Sequence, residues 1–523
     1  MGKETFLSFI DYKKAFDSVD RNLLFFKLSK LGISGRMYRA ILALYECPQA
    51  RVVLDGQATD FFSCPIGVKQ GDSLSPTLFA AFINDLATEI RESGIGITIA
   101  TLSEALPDML VNILLYADDI VLLAENEQDL QGLLNVTERW CRKWRLEVNM
   151  SKTNILHIRG KQRPQSRFTF LFNMRPVMYC QSYKYLGVNI NEYLDFSFTI
   201  DKLAESGSRA LGTVIAKMIK HGGFSYNIYS MLYDTCVTSI LDYSAALTGF
   251  KSYESLEKVQ MRAIRAFLGL PKNACNAGVM SEVSMLAPRY RTQLTMIRHY
   301  HRMLKMDNTR LTKKIFLWDK NLNDHQQVST WFSEIRSIFE SNGLNSVLVP
   351  NAGLFDLRPT INIIKKSMFE RQAADLREEC SNKPKLRTFM LFKDFNVEPS
   401  YISKNLNFQE RRLLAKTRLG CLTIRLETGR YEKPKLPEAY RVCLVCNSGQ
   451  IESEEHFLFW CGSYEYERHK WYNSLKLIEN FDSLDLATKL DCIFNNPEHV
   501  KPTARFIATI FDLRSKILNG NIK

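Results

Sequence analysis

The sequence predicts an α+β chain in several parts. A mixed α/β domain spans 1–195, a basic helical region 196–310, a polar helical linker 311–440, a small Cys/His module 441–475, and helices 476–523. Three observations carry this reading. Short apolar runs at 6–10 and on both sides of Asp118-Asp119 alternate with helical patterns in the first part. From Ile200 onward apolar residues recur at helical spacing. Cys443, Cys446, His456 and Cys461 then stand at metal-ligand spacings. At 523 residues the chain exceeds one core and suits about three or four domains. A content of 46% hydrophobic and 24% charged residues excludes a disordered chain. No uninterrupted apolar run reaches the length of about 18 residues that a membrane helix needs, so no membrane partner is expected. The first residues lack the apolar core of a secretory signal. Lys and Arg number 69 against 56 Asp and Glu, a formal charge of +13. Such an excess suits a polyanionic partner, most often nucleic acid. It is concentrated at 201–320, with 18 basic and 9 acidic residues, although a solvated helical surface would have the same composition. Twelve cysteines in so long a chain suggest reduced thiols and metal binding rather than a disulfide framework.

The elements follow in order. The run Phe6-Leu7-Ser8-Phe9-Ile10 reads as a buried strand ending at Asp11. Asp17 or Ser18 can cap the next helix, with Leu24, Leu28 and Leu31 on its buried face and Gly32 as its stop. A second helix covers 77–90, and 113–124 reads as a tight β-hairpin around Asp118-Asp119. The stretch 127–144 is helical, with Leu130, Leu133, Leu134, Val136 and Trp140 inward. Strands are expected at 154–158, 168–172 and 185–190. Gly222-Gly223, Pro271 and Pro288 break the helices that follow, and Pro350, Pro359, Pro384 and Pro399 mark loops between short helices. A last amphipathic helix covers 502–518.

The strongest chemical signal is Tyr116-Ala117-Asp118-Asp119. Two adjacent carboxylates at a hairpin tip repel each other unless a cation binds, and Mg²⁺ prefers carboxylate and phosphate oxygens. A plain polar turn is the competing reading. Asp11 offers a third carboxylate, which could complete a two-metal site, or it caps a strand. Phe16 would lie under an incoming sugar, or in the core. The loop Pro65-Ile66-Gly67-Val68-Lys69-Gln70-Gly71-Asp72-Ser73-Leu74-Ser75-Pro76 lets backbone approach a nucleotide closely, or simply starts a helix.

Together these strings resemble motifs A, B and C of reverse transcriptases, those of non-LTR, LINE-type retrotransposons in particular. Asn149-Met150-Ser151-Lys152-Thr153 resembles their motif D, and Tyr185-Leu186-Gly187 resembles the motif E primer grip. All five stand in the family's order across residues 5–190. The resemblance implies a polymerase palm followed by a thumb and connector, with RNA-directed DNA synthesis from dNTPs on an RNA template and a DNA primer. It implies two Mg²⁺ ions on Asp11, Asp118 and Asp119, with Phe16 as steric gate and Gln70 and Gly71 at the nucleotide. Lys152 would protonate pyrophosphate, and the location would be nuclear. Family members carry a fingers region upstream of motif A, so the chain is expected to be the C-terminal part of an element's polyprotein, with its fingers largely missing.

The spacing Cys443-x2-Cys446-x9-His456-x4-Cys461 suits one tetrahedral Zn²⁺, against three free thiols and a surface imidazole. LINE-type proteins often end in a similar knuckle. Trp460, Phe459 and Arg441 could then stack on and neutralise single-stranded RNA, while Phe457 reads as the module's core. Two rival readings remain open: a non-catalytic remnant that binds RNA or DNA through thumb and knuckle, and a zinc-dependent interaction module on a degenerate palm.

Overall fold

Strand β1 (Thr5–Ile10) is buried along most of its length, because its two faces meet two different layers. In the computed structural model, which describes residues 4–46, 48–99, 108–326, 329–348, 354–475 and 481–520, β1 is the centre of a five-stranded sheet. The elements after it are α1 (Arg21–Lys30), α2 (Gly35–Leu44), α3 (Ser75–Glu92), β2 (Ile113–Tyr116), β3 (Asp119–Ala124), α4 (Glu127–Trp144), β4 (Asn154–Ile158) and β5 (Met178–Tyr179). The strand order is β5-β4-β1-β3-β2, antiparallel throughout except for the β4–β5 pair. Side chains alternate along β1. Phe6 and Ile10 join a core with Leu24, Phe79, Phe82, Leu134 and Trp140 of the helices. Leu7 and Phe9 face the other way, with Val121 and Leu156, towards Tyr183, Tyr185 and Ile190. Those last residues lie on a hairpin of Ser182–Tyr185 and Val188–Asn191.

Several expectations for this part are corrected. The first helix is capped by Asp20, whose side chain accepts from the Asn22 and Leu23 amides, not by Asp17 or Ser18. Leu31 is its C-cap and is 54% exposed rather than inward, while Leu24 and Leu28 are buried. The expected strand at 185–190 is a hairpin turning at Leu186-Gly187, and only Leu171–Phe172 of 168–172 is strand. The helix at 127–144 and the hairpin at 113–124 stand where the pattern places them.

The chain divides into two compact units, with the boundary between Thr199 and Ile200. The second unit is helical and has one large core drawn from residues between Ile200 and Ile510. A smaller core joins the helices Pro288–Lys305, Trp331–Glu340 and Leu357–Ser381. Pro288 and Pro359 do not interrupt helices: both lie in the first turn of one, where the missing N–H would have no partner anyway. Pro350 lies outside the described residues. Among the described residues no helix is long and apolar enough to cross a membrane.

The deepest polar contact of the second unit is Arg418 with Glu282, both fully buried, at 2.8 and 3.0 Å in a two-pronged pair. The Tyr401 hydroxyl also donates to Glu282, and Phe392, Tyr401 and Phe494 surround the guanidinium. Burial alone would raise the Glu282 pKa, but Arg418 overcomes this and holds it below the usual carboxylate value. The stability this adds is complete above the ordinary carboxylate range and is lost as pH falls through the lowered value. Removing one partner strands the other charge, so Arg418→Ala should cost about 3–5 kcal/mol in denaturant unfolding. The deficit should be largest near neutral pH and shrink as pH falls through the lowered Glu282 value, where the wild-type chain loses the same contribution. A loss below 1 kcal/mol would show that the site is hydrated.

Candidate active site and candidate metal centre

Antiparallel pairing of β1 with β3 sets Ile10 opposite Ile120, so the next residues, Asp11 and Asp119, follow as neighbours at the end of the ladder. Asp118 adjoins them in the two-residue turn between β2 and β3, where Tyr116 pairs with Asp119. Ala117 in that turn has φ 53°, a left-handed conformation that a non-glycine residue adopts at some strain. The Asp119 pKa is raised, first by burial and then by the charges of Asp118 and Asp11. Three carboxylates therefore converge at one end of the sheet. Among the described residues no Lys or Arg forms an ion pair with Asp118 or Asp119.

The turn after α4 holds Asp11 in place. The Asn149 amide donates to the Asp11 carbonyl at 2.7 Å, and the Asp11 amide donates to Thr153 Oγ1 at 3.3 Å. Lys152 from the same turn stands with Nζ 3.9 Å from Asp11 Oδ2, and its side chain is 67% exposed. Below the carboxylates, Tyr183 stacks on Phe9 at 4.0 Å. Burial raises the pKa of both Tyr183 and Tyr185, with Asp119 adding to each and Asp11 to Tyr183. Tyr183 carried no signal in the sequence, since only the hairpin brings it to Phe9.

Phe16 is half-buried, its ring stacked on Phe79 of α3 at 4.7 Å. Gln70 and Gly71 are exposed on the loop that leads into α3. Gln70 Nε2 donates to Asp17 Oδ1 at 2.8 Å. Gly67 has φ +85°, and a Cβ there would lie 2.7–2.9 Å from Asp17 backbone atoms. The site thus brings Asp11, Asp118, Asp119 and Lys152 to one sheet end, and joins the Phe16 turn to the Gln70 loop.

In the second unit Cys443, Cys446, His456 and Cys461 gather their ligand atoms within 4.8 Å of one another. Tetrahedral Zn²⁺ needs ligand atoms about 3.5–3.8 Å apart, so the four donors need only small shifts. Cys446 Sγ already lies 3.4 Å from His456 Nε2. Gln450 Oε1 lies 2.9 Å from His456 Nδ1 and can accept its proton, which leaves Nε2 as the ligand nitrogen. A hydrogen bond between the two sulfurs lowers the Cys443 thiol and raises that of Cys461. Donor type and geometry both fit zinc. The surroundings correct two expectations. Phe459 is buried, and Arg441 is 4% exposed with its guanidinium on the Leu426 and Leu436 carbonyls, so neither faces RNA. Phe457 is core, as expected, and Trp460 is 49% exposed. Gln450 had no sequence signal.

The arginines of the basic stretch 201–320 divide similarly into paired and exposed groups. Arg291 is bound to Asp242 at 2.7 and 3.0 Å, and Arg289 to Asp375 at 2.8 Å. Arg262 donates to Ser208, and Arg265 to the Ala274 carbonyl and Asn276. Arg298 and Arg302 are exposed.

Residues 1–190 match the family model described as reverse transcriptase (RNA-dependent DNA polymerase). The chain is 24% identical over 278 residues to the RNA-directed DNA polymerase from mobile element jockey of Drosophila melanogaster, covering 50% of this chain and 28% of the relative. It is 26% identical over 188 residues to the Pol polyprotein from the type-1 retrotransposable element R2 of Popillia japonica, covering 35% and 30%. Its match thus spans less than a third of either relative's length. Among solved structures, telomerase from Candida albicans in complex with a telomeric RNA fragment aligns over 78% of this chain and 52% of its own, at 13% identity and a TM-score of 0.29, too distant to bear on the fold.

The crowding at Gly67 makes a direct test. Gly67→Ala adds a positive-φ penalty to a backbone clash, and should cost about 1–3 kcal/mol in denaturant unfolding. An alanine tolerated without loss would mean that the Asp17 backbone yields.

Proposed function

We infer, from the membership of residues 1–190 in the reverse transcriptase family of non-LTR retrotransposons, that this chain is the polymerase-bearing part of such an element's RNA-directed DNA polymerase. The observation that carries this is the convergence of Asp11, Asp118 and Asp119 with no compensating cation side chain on the latter two among the described residues. Asp11, Asp118 and Asp119 would hold two Mg²⁺ ions, which when bound supply charge neutralisation to a phosphoryl group under attack by a primer hydroxyl. The chain's own residues would position the rest. Phe16, braced by Phe79, places a ring where a ribose 2′-hydroxyl would collide, which favours dNTPs. Gln70 and Gly71 present side chain and open backbone to the nucleotide, and Lys152 has the exposure and proximity to pass a proton to the leaving pyrophosphate. The hairpin bearing Tyr183 and Tyr185 suits the primer end. The template would be the element's RNA and the setting the nucleus. Arg298 and Arg302, exposed and without an ion pair among the described residues, are the candidates for phosphate contacts, in place of the paired Arg291 and Arg289.

Asp118→Asn should abolish Mg²⁺-dependent extension of a DNA primer on an RNA template while the chain stays folded, since the change relieves like-charge repulsion. Full activity in Asp118→Asn and Asp11→Asn proteins would remove the metal assignment. A folded wild-type chain that binds template yet never extends would instead support the non-catalytic remnant.

We assign the Cys/His cluster to one structural Zn²⁺. Cys443 and Cys461 belong to the same core as residues of the 254–268 helix and of the C-terminal helix, and Arg514 reaches Glu452 in a two-pronged pair at 2.7 and 2.8 Å. Metal loss should therefore loosen the whole second unit. The purified full chain should hold one zinc by elemental analysis, and Cys461→Ser should lose it and lower the melting temperature. A zinc-free chain with unchanged melting would leave the four residues as neighbours only.

A further inference from the structure

We propose that Arg21 is a positioning residue that clamps the Gly67–Gln70 loop onto the Phe16 turn and so sets the place of the sugar-selecting ring. The proposal rests on the polymerase reading. Arg21 is the first residue of α1, immediately after the Asp20 cap. Its Nε donates to the Gly67 carbonyl at 2.8 Å and its Nη2 to the Ile66 carbonyl at 3.0 Å. Two consecutive carbonyls are thus bridged by one rigid fork. Among the described residues Arg21 has no carboxylate partner, so its directed donors act on this loop and its guanidinium lies 5.2 Å from the Tyr45 ring centre.

The clamp closes a set of shorter links. The Gly67 amide donates to the Val19 carbonyl and the Val68 amide to the Phe16 carbonyl, both at 2.8 Å. Gln70 Nε2 reaches Asp17 at 2.8 Å. These contacts need Gly67 hard against the Asp17 backbone, where no side chain fits. The loop then enters α3, whose Phe79 stacks on Phe16. Phe16 is therefore fixed through its own carbonyl and its neighbour Asp17 by the segment that Arg21 anchors, and through its ring by the helix that this segment enters. A gate works by steric collision, so its selectivity depends on where its ring stands to a fraction of an ångström. Lysine cannot replace the fork, since one ammonium cannot span two carbonyls in a fixed plane.

The test uses the full chain with Arg21→Lys and, as the larger change, Arg21→Ala. Amide hydrogen exchange at Gly67 and Val68 should accelerate in both, while the β1 and β3 amides keep their protection. In primer extension the preference for dNTP over rNTP should fall about tenfold, mainly through a lower KM for the rNTP as the collision is relieved, with Arg21→Lys between wild type and Arg21→Ala. Unchanged exchange at Gly67 and Val68 would overturn the clamp. Faster exchange with the wild-type dNTP preference, or a uniform loss of melting temperature alone, would overturn its role in selection. If the wild-type chain extends no primer, the polymerase reading and the selection role fall together, and the exchange data still decide the clamp.

Discussion

Ile10 stands opposite Ile120, and from that single register the position of the three converging carboxylates, Asp11, Asp118 and Asp119, follows. Parity places Leu7, Phe9 and Asp11 on one face of β1, and Val121 and Asp119 on the same face of β3. A slip of one residue would turn Asp119 towards the helices and Ile120 into the site. The register is protected because both faces are buried. Phe6, Ile10, Ile120 and Leu122 are committed to the helical side, while Leu7, Phe9 and Val121 are committed to the Tyr183 hairpin. Packing of apolar residues on two sides thus overcomes the mutual repulsion of three carboxylates at the sheet end. The convergence of carboxylates at that end is a by-product of core specificity.

The parts of this arrangement legible in the sequence are those with short-range causes. Two apolar runs flanking Asp118-Asp119 can only fold back on each other, and the Leu130, Leu133, Leu134, Trp140 stripe needs one buried side. The meeting of Asp11, Asp118 and Asp119 at one sheet end was therefore legible from their places on those elements. Local competition defeats the finer reading. Asp17, Ser18 and Asp20 are all capping residues within four positions. Asp20 caps the helix while Asp17 bonds Gln70, a partner 53 positions away. Pro288 separates two helices by opening the second, whereas Pro359, expected in a loop, lies in a first helical turn, because a loop and a first turn accept proline alike. Arg21, Tyr183 and Gln450 were invisible for a common reason: each acts on a residue that only the finished fold brings near.

The same limit governs the basic helical region. Charge counting over 201–320 treats all arginines alike, but a guanidinium beside a carboxylate is neutralised before any phosphate arrives. Arg291 is held by Asp242 with Gln260 at 3.0 Å, and Arg265 completes the turn around Ala274 and Asn276. The net excess is unchanged by such pairs, but fewer arginines are open to a polyanion than the basic count suggests, and they lie at exposed positions such as Arg298 and Arg302.

Burial likewise changes the meaning of the Cys/His segment. Small metal modules usually depend on the ion because they have little else to fold around. Here Cys443, Phe457, Phe459 and Cys461 sit in a core shared with helices from 254–268, 408–418 and 500–518. Glu452 joins Arg514, Glu454 joins Arg387, and Arg441 ties two nearby carbonyls. An ion bound there would cross-link a segment already attached on several sides, so it would tighten the shared core of the second unit rather than create its fold. In that setting the exposed Trp460 is the residue of the segment's aromatic run left available to a partner, since Phe457 and Phe459 are already used in packing.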